Sequence, residues 1–480
     1  MLLRHSVIQQ WLIAGLAGTL LGIWILAAAT LSSRWAPLLI LAGIGPFVAM
    51  MVRDIRKLLL AVIILDIPLQ LDTYLAYRAE ISQLGALGGI NLSATTVSLL
   101  ILYTLWAIGL LTRIGFHPHP RLRASLPLAL YLACVALSTL VAPDVSLSLF
   151  QIFLLLQMFL LYVYVASWVR TRQDAIFIVA MLLASVILES TIMIGVYATG
   201  ADFSIASIST SMDPGFAGRA AGTLRSPNAA AAFLSLTLAP ALSLLLTKSG
   251  RWIKRLAMLA FGLGLAALIL TLSRGAWLAF AIYSVIMCLL LWRRGWLTLG
   301  APVVLAAVGL LLSPVLYDAI WTRLVADDGG SALSRIPLMQ LAWSIIKDHP
   351  VFGVGANNFV LLIPQYATPA FANAWLYTVH NNYLLVWAET GAVGFIAYVA
   401  FLLVTVGRGW RVWRARDPFL SPLALGLAVA VIGHMVHMFV DLFNMRPETQ
   451  LLWLIAGLIA ALNEIDRENN AARSTKRRRI

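Results

Sequence analysis

Long apolar runs recur along the chain and restrict it to a helical membrane fold. Of the 480 residues, 61% have apolar side chains and only 11% are charged. Runs of about 17–25 apolar residues match the thickness of a hydrocarbon core. The runs are continuous rather than alternating, which disfavours strands. The sequence therefore predicts an all-α, polytopic helical membrane protein with about 12–14 transmembrane helices.

Fourteen predicted spans make the charges alternate between the two sides of the membrane, and a re-entrant pair would reduce the number to about twelve. The first run is longer than the apolar core of a signal peptide and lacks a small-residue cleavage site, so we interpret it as a retained span. The spans lie near 7–31, 36–52, 57–72, 92–111, 126–141, 146–168, 175–199, 228–247, 255–272, 275–292, 297–317, 383–406, 419–441 and 448–463.

Basic residues are concentrated on one side of these spans. An excess of Lys and Arg marks the cytoplasmic side, which places both termini in the cytoplasm. The net charge of +14 therefore reflects topology, and no nucleic-acid partner is expected. Of the 34 basic residues, the outer side holds only Arg34, Arg78, Arg219, Arg225, Arg274, Arg323, Arg335, Lys347 and Arg446.

The chain is predicted to form one polytopic membrane domain over residues 1–480. Residues 318–382 are predicted to form its large loop on the outer side, and a shorter outer segment covers about 200–227. Within the large loop, apolar residues recur among polar ones over Ser334–Asp348. This pattern predicts a helix that lies on the membrane surface, so the loop is expected to be mostly helical.

Two arginines stand in short turns on the outer side. Arg225 precedes Pro227 at the start of an Ala-rich span, and Arg274 lies between two spans with almost no loop. A helix cap or a contact with lipid headgroups would explain either arginine alone. Two such turns on the same face favour anion binding, because proline near a helix start leaves free backbone N–H groups there.

His380 ends the polar outer segment and directly precedes an apolar span. It should therefore lie where water meets the bilayer, as a titratable group close to any lipid-borne substrate. Acidic residues also occur in the outer halves of spans, where an ionisable group costs on the order of 2.5–3.5 kcal/mol and needs a cavity or a partner. They are Asp66, Glu189, Glu389 and Asp441.

No metal and no cofactor are predicted. His434, His437 and Asp441 share one helix face, but interhelical hydrogen bonding explains them better than zinc, which would need another strong ligand. The glycines of 353–359 resemble a phosphate loop but lack its lysine, so we reject nucleotide binding and expect these glycines to let the backbone pack closely beside His380. Cys134 and Cys288 lie in separate spans and are interpreted as packing residues.

An ordered set of motifs over roughly residues 200–400 resembles the O-antigen ligase superfamily of bacterial envelope glycosyltransferases. Each motif is weak alone, whereas the set on one membrane face is specific. The motifs are R-S-P-N at 225–228, S-R-G at 273–275, H-P-V-F-G-V-G-A-N-N-F at 349–359, H-N-N-Y-L at 380–384 and E-x-G-x-x-G at 389–394.

The resemblance implies glycan transfer from undecaprenyl diphosphate to an acceptor, at the periplasmic face of the bacterial inner membrane. The superfamily residues corresponding to His380, Arg225 and Arg274 are regarded as essential. Arginine forks would stabilise the diphosphate, and the histidine would accept the proton of the acceptor hydroxyl. Glu389 would either orient the imidazole or pack helices. Arg219 is a further candidate contact for the diphosphate, although no motif identifies it.

Within the superfamily, the favoured hypothesis is that the protein is an O-antigen ligase. Its partners would be undecaprenyl diphosphate-linked O-antigen, the lipid A–core oligosaccharide and membrane lipids. An O-antigen polymerase tends to have two substantial outer loops, and protein O-oligosaccharyltransferases often carry a sizeable soluble C-terminal part, which is not expected here. A flippase or transporter is disfavoured, because its site would lie near the bilayer midplane between repeated halves.

Overall fold

The computed structural model describes residues 54–112, 122–200, 202–205, 208–213, 218–297, 335–367 and 377–478. Three predicted spans (7–31, 36–52 and most of 297–317) lie outside these residues. The first helices are α1 (Ile55–Leu69), α2 (Ala79–Gln83), α3 (Ala94–Thr112), α4 (Leu122–Ser138), α5 (Val145–Trp168), α6 (Arg172–Thr199) and α7 (Pro227–Leu246). They are followed by α8 (Arg251–Leu270), α9 (Arg274–Arg293), α10 (Arg335–Asp348), α11 (Phe359–Tyr366), α12 (Asn382–Arg414), α13 (Leu420–His437) and α14 (Arg446–Arg478).

The predicted all-α polytopic fold is confirmed. Within the described residues, nine helices are long and apolar enough to cross a membrane, namely α3, α5 to α9 and α12 to α14. The shorter helices α1 and α4, of 15 and 17 residues, occupy two further predicted spans. Each of the eleven predicted spans in the described residues therefore corresponds to a helix.

Strands were not expected, yet three short antiparallel pairs join the helices. Their bounds are β1 (Asp72–Leu75), β2 (Ile90–Ser93), β3 (Ser204–Ile205), β4 (Ile208–Ser209), β5 (Ser211–Asp213) and β6 (Arg219–Gly222). They pair in the order β1–β2, β3–β4 and β5–β6, and the last pair contains a bulge. Strands this short do not show in an apolar pattern, because a hairpin of two to four residues has no alternating face to bury.

The core of the bundle lies around α7 and α14. In the spanning segment of each helix, 94% of the residues are buried. Helix α7 packs against α13, α8 and α9, and α14 packs against α5 and α12. Small residues allow the close approach. A Cβ added at Gly426 on α13 would lie 2.7 Å from the Cβ of Ser243 on α7. Such contacts are typical of membrane helices, where packing rather than the hydrophobic effect drives association.

A buried ion network joins α1, β1 and α14. Arg446 Nη1 lies 3.1 Å from Asp66 Oδ2, and Nη2 lies 2.7 Å from Asp72 Oδ1. The hydroxyl of Thr95 donates to Asp66 at 2.7 Å, and Arg446 Nη1 donates to Gln450 at 2.6 Å. Asp66 thus has the partner that a buried acid in a span requires, and the arginine is structural rather than part of an open anion site.

Helix α12 is interrupted at Gly391, where the segment 350–359 packs against it. Gly391 has φ 68° and ψ −176°, so the chain kinks between two helical segments. The helix predicted over Ser334–Asp348 is present as α10, which buries Leu338 and Leu341 and exposes Trp343. Its described neighbour α11 is also helical.

Candidate functional site

Arg219 connects the two arginine-bearing turns. Its side chain is 8% exposed, Nε donates to the carbonyl of Thr271 at 2.8 Å, and Nη2 donates to Asn228 Oδ1 at 2.7 Å. Thr271 lies three residues before Arg274, and Asn228 lies three residues after Arg225. The structure therefore brings the three predicted arginines into one region. It also commits much of the Arg219 guanidinium to protein acceptors.

The buried carboxylate of Glu189 stabilises the turn that contains Arg225. Glu189 Oε1 accepts from the N–H of Thr223 at 2.9 Å, and the Thr223 hydroxyl donates to the carbonyl of Pro68 at 2.8 Å. Gln70 Nε2 donates to the Thr223 carbonyl at 2.9 Å. Arg225 itself is exposed and has φ 62°, in the left-handed region. The turn is thus fixed by its neighbours, and Arg225 stands exposed two residues before the first residue of α7.

Arg274 is the first residue of α9, and its position depends on the glycine that follows. Ser273 precedes it in an extended conformation and makes no side-chain cap. A Cβ added at Gly275 would lie 2.9 Å from both His437 Cδ2 and Val440 Cγ2. Only glycine therefore lets α9 begin directly against the end of α13. Together with the partial positive charge of the uncapped helix start, Arg274 makes this corner attractive to anions.

His380 lies in a loop that is bonded to the segment after α2. Both the N–H and the hydroxyl of Thr378 donate to the carbonyl of Leu84 at 2.9 Å. The ring of Tyr377 contacts the imidazole with centroids 5.4 Å apart. Burial and the positive charge of Arg335 together lower the pKa of His380 to about 4, although the hydrogen bond with the backbone of Thr378 opposes the shift. The imidazole is therefore neutral at pH 7.

The two asparagines after His380 fix the start of α12. The side chain of Asn381 caps the helix by accepting from the N–H of Leu384 at 3.0 Å, and its Nδ2 donates to the carbonyl of Phe439 at 3.0 Å. The N–H of Asn382 donates to the carbonyl of Met438 at 2.9 Å. The H-N-N motif thus holds the histidine loop against the segment after α13, beside the corner that contains Arg274.

Arg335 and Asp441 link the histidine to the arginine turns. Arg335 donates to the carbonyl of Val440, and its charge acts on both His380 and Asp441. Burial raises the pKa of Asp441 to about 6, against the opposing charges of Arg335 and Arg219. Sequence reasoning placed Arg335 on the outer side but gave it no role, because no motif surrounds it. Only the fold brings the start of α10 to the end of α13.

The segment 350–359 is bound tightly to the kink of α12. Gly355 N–H donates to the carbonyl of Glu389 at 2.9 Å. A Cβ added at Gly353 would lie 2.4 Å from the carbonyl carbon of Glu389, and one added at Gly391 would lie 1.9 Å from the carbonyl oxygen of Val351. Both glycines have φ 68°. The predicted close backbone packing of these glycines is confirmed, but they pack against the kink of α12 and not beside His380 as expected.

The asparagines of the same segment bind other parts of the outer layer. Asn357 accepts from the N–H of Leu87 at 2.8 Å and donates to the carbonyls of Leu87 and Leu147 at 2.8 and 3.1 Å. Asn358 accepts from the N–H of Asp144 at 2.9 Å. The G-V-G-A-N-N motif is therefore an anchor that joins α12 to the segments before β2 and α5.

Glu389 belongs to this anchor and not to the histidine. Its Oε1 accepts from the N–H of Phe359 at 3.4 Å. Glu389 lies seven residues into α12, which corresponds to about 10 Å along the helix below the His380 loop. The structure therefore does not bring Glu389 to the imidazole, and the orienting role expected for it has no geometric support.

His434 and His437 on α13 pack around an aromatic ring, and Asp441 lies four residues beyond the end of this helix. His437 Nε2 lies 3.9 Å from Asp441 Oδ2. The rings of His434 and His437 both have centroids 4.8 Å from that of Phe443. Neither ring nitrogen of His437 has a hydrogen-bond partner in the described part of the chain, so the expected interhelical bonding is wrong there. Among those residues, no three His, Cys, Asp or Glu side chains are grouped to hold a metal ion.

The comparison with known families covers the part of the chain that contains the later residues of this site. A family model described as O-antigen ligase matches residues 259–399. The matched segment contains Arg274, Arg335, His380 and Glu389, whereas Arg219 and Arg225 precede it. A search of curated proteins gave no match.

Proposed function

Because a family model described as O-antigen ligase matches residues 259–399, we propose that the chain is an O-antigen ligase of the O-antigen ligase/polymerase superfamily. It would transfer O-antigen polysaccharide from undecaprenyl diphosphate to the lipid A–core oligosaccharide at the periplasmic face of the inner membrane. The observation that carries the proposal is the grouping of two arginine turns, joined by Arg219, around the same corner as a neutral histidine.

The donor diphosphate is assigned to Arg225 and Arg274. Each guanidinium stands at the start of a long helix, α7 or α9, neither of which has a side-chain cap. Helix starts of this kind add backbone N–H donors to the charge-assisted contacts of arginine, which can bind phosphate oxygens in pairs. Arg219 positions the two turns through its bonds to Thr271 and Asn228, and its buried positive charge lies beside the same anion.

His380 is assigned as the general base. The acceptor hydroxyl gives its proton to the neutral imidazole while its oxygen attacks the anomeric carbon of the donor sugar. The bond between that carbon and the diphosphate oxygen breaks, and the diphosphate leaves with the electron pair, stabilised by the arginines. Direct displacement inverts the anomeric configuration. The incoming diphosphate raises the pKa of His380 from its value in the free protein, since a nearby negative charge favours the imidazolium.

No metal or nucleotide is required by this scheme. The leaving group is already activated as a diphosphate, and its charge is neutralised by guanidinium groups instead of a divalent ion. Proximity supplies a further large part of the rate, because both substrates are lipid-anchored and meet at the same membrane surface. Glu389 is assigned to the anchor of the outer segment and has no role in proton transfer.

The test is deletion of the gene followed by electrophoresis of lipopolysaccharide. A ligase deletion loses long-chain lipopolysaccharide while lipid-linked polymer accumulates, and the intact chain restores the ladder. Lipopolysaccharide with a single O-antigen repeat would identify a polymerase instead. Accumulation of lipid-linked repeats on the cytoplasmic side would identify a flippase and reject both transferase assignments.

A further inference from the structure

An open cleft lies at the end of the bundle opposite His380. It has a volume of about 730 Å³ and lies between the last turns of α12 and the matching stretch of α14. Helix α12 has 33 residues from Asn382 to Arg414, so the residues of this cleft lie roughly 40–50 Å from the start of the helix when measured along it. The cleft is lined by Gly407, Trp410, Arg411, Arg414, Ala415, Asp466, Arg467 and Asn470.

The cleft is positively charged. It contains three guanidinium groups, from Arg411, Arg414 and Arg467, against the single carboxylate of Asp466. Arg467 is partly neutralised by Glu464 at 3.0 Å. Arg414 is exposed and makes no hydrogen bond to any residue that the structure describes. At least one guanidinium is therefore available to an anion that enters the cleft.

An apolar stripe on α12 leads directly into this basic cleft. Exposed residues follow one another at spacings of three and four, which places them on one face of the helix. They are Val393, Ile396, Ala400, Leu403, Gly407 and Trp410. Val393, Ile396 and Leu403 are 53%, 64% and 58% exposed, and the stripe ends at Trp410, which is 45% exposed. Tryptophan in such a position marks the boundary between acyl chains and headgroups.

We propose that the cleft binds the headgroup of an anionic phospholipid whose acyl chains lie along the exposed stripe of α12. The stripe requires a ligand with a long apolar part, which excludes free phosphate as the natural occupant. The excess of guanidinium groups requires an anionic headgroup in place of a zwitterionic one, since each basic residue near an anionic surface adds roughly 1 kcal/mol of attraction. An added Cβ at Gly407 would meet nothing within 4 Å, so the wall of the cleft is open where the glycerol would lie.

This site is distinct from the proposed catalytic region in place and in ligand. It faces the membrane surface where α8 begins and α9 ends, because Arg294 at the end of α9 stacks on Trp413 of α12 with its guanidinium carbon 3.6 Å from the ring centroid. The donor and acceptor of the proposed transfer react at the other surface. A lipid bound here would hold α12 and α14 together and would not enter the reaction.

Binding can be measured on the purified full chain in a neutral detergent. The probes are phosphatidylglycerol, phosphatidylcholine with the same acyl chains, and inorganic phosphate. We expect phosphatidylglycerol alone to raise the thermal unfolding midpoint and to remain bound in native mass spectrometry. Equal effects of phosphatidylcholine would reject the anionic specificity, and equal effects of inorganic phosphate would show a free-anion site.

The variant pair Arg411→Ala/Arg414→Ala should weaken phosphatidylglycerol binding by roughly 10- to 30-fold, as expected for two lost charges. Arg251→Ala/Arg255→Ala is the matched control, because it removes two exposed arginines at the same end of the bundle, from the start of α8. Equal loss in both pairs would mean diffuse surface attraction and would reject the cleft. If the double variant does not fold, Arg414→Ala alone can be used to measure the loss of phosphatidylglycerol binding. It leaves the hydrogen bond from Arg411 to Asn463 intact.

Discussion

At the scale of single residues, His380 is the side chain on which the proposed reaction depends most directly. His380→Ala should lower turnover by roughly 10²- to 10⁴-fold, the usual range for loss of a general base, and should leave donor binding intact. His349→Ala is the matched control, since His349 is an exposed histidine at the end of α10. Near wild-type transfer by His380→Ala would make His380 a structural residue.

The pH dependence of transfer should report the environment of His380. Burial and Arg335 lower its pKa to about 4, so the neutral base is present above that pH and is lost as the pH falls through it. The acid limb of kcat/KM should therefore lie well below 6.5, the value of an ordinary histidine. Arg335→Gln removes a repulsive charge, raises the pKa and moves the limb to higher pH. Arg335→Lys keeps the charge and should leave the acid limb at the wild-type pH. An acid limb at the same pH in the wild type and both variants would contradict the effect of Arg335 on His380.

Arginine at position 274 should matter for its shape as well as its charge. Arg274→Lys keeps one positive charge but loses the planar fork, and so loses one of two paired bonds to the diphosphate. Donor affinity should fall about tenfold or more, as measured by binding of a lipid diphosphate to purified protein. Unchanged affinity would show that Arg274 acts only as a charge or as a helix cap.

At the scale of elements, the contact between segment 350–359 and the kink of α12 should be intolerant of any side chain. Gly391→Ala would place a Cβ 1.9 Å from the carbonyl oxygen of Val351, at φ 68°. Backbone strain alone costs on the order of 1–3 kcal/mol, so the unfolding midpoint should fall clearly. Gly407→Ala on the same helix meets open space and should be neutral or stabilising by up to about 1 kcal/mol. Similar midpoints for both variants would disprove the anchor.

The helices could be predicted from the sequence, because an apolar run of 17–25 residues has few alternatives in a membrane. Contacts between distant segments could not be predicted in this way. Asp66 was recognisable as an acid that needs a partner, but its partner Arg446 is 380 residues away and is marked by no motif. Glu189 could likewise be flagged as a buried acid, whereas its support of the Arg225 turn depends on the packing of β6 over α6.

For the proposed site, the sequence motifs indicated candidate residues but not the contacts between them. Arg225, Arg274 and His380 were recognisable because each stands in a short, unusual turn at the end of a span. Of the two roles left open for Glu389, the structure favours packing, since its carboxylate accepts from the N–H of Phe359 and helical rise separates it from His380. Arg335 was missed as part of the site because its influence on His380 acts through space.

At the scale of the whole molecule, the two ends of the bundle have different chemistry, and this predicts its orientation. One end carries the arginine turns and the neutral histidine; the other carries the basic cleft and the stacked Arg294. The loop between α7 and α8 lies at the second end, since α8 runs from there to the Arg274 turn. Basic residues favour the cytoplasmic side, so the first end should be periplasmic.

Reporter fusions can test this orientation directly. A phosphatase that is active only in the periplasm should be active when fused after Gly329, in the outer segment of 318–382, and inactive when fused after Ser249. A reporter that is active only in the cytoplasm should give the opposite result at both positions. Reversal at both sites would place His380 in the cytoplasm, where undecaprenyl diphosphate-linked polymer is not presented to lipid A–core, and the ligase assignment would fail with the orientation. Reversal at only one site would require a different number of spans between them.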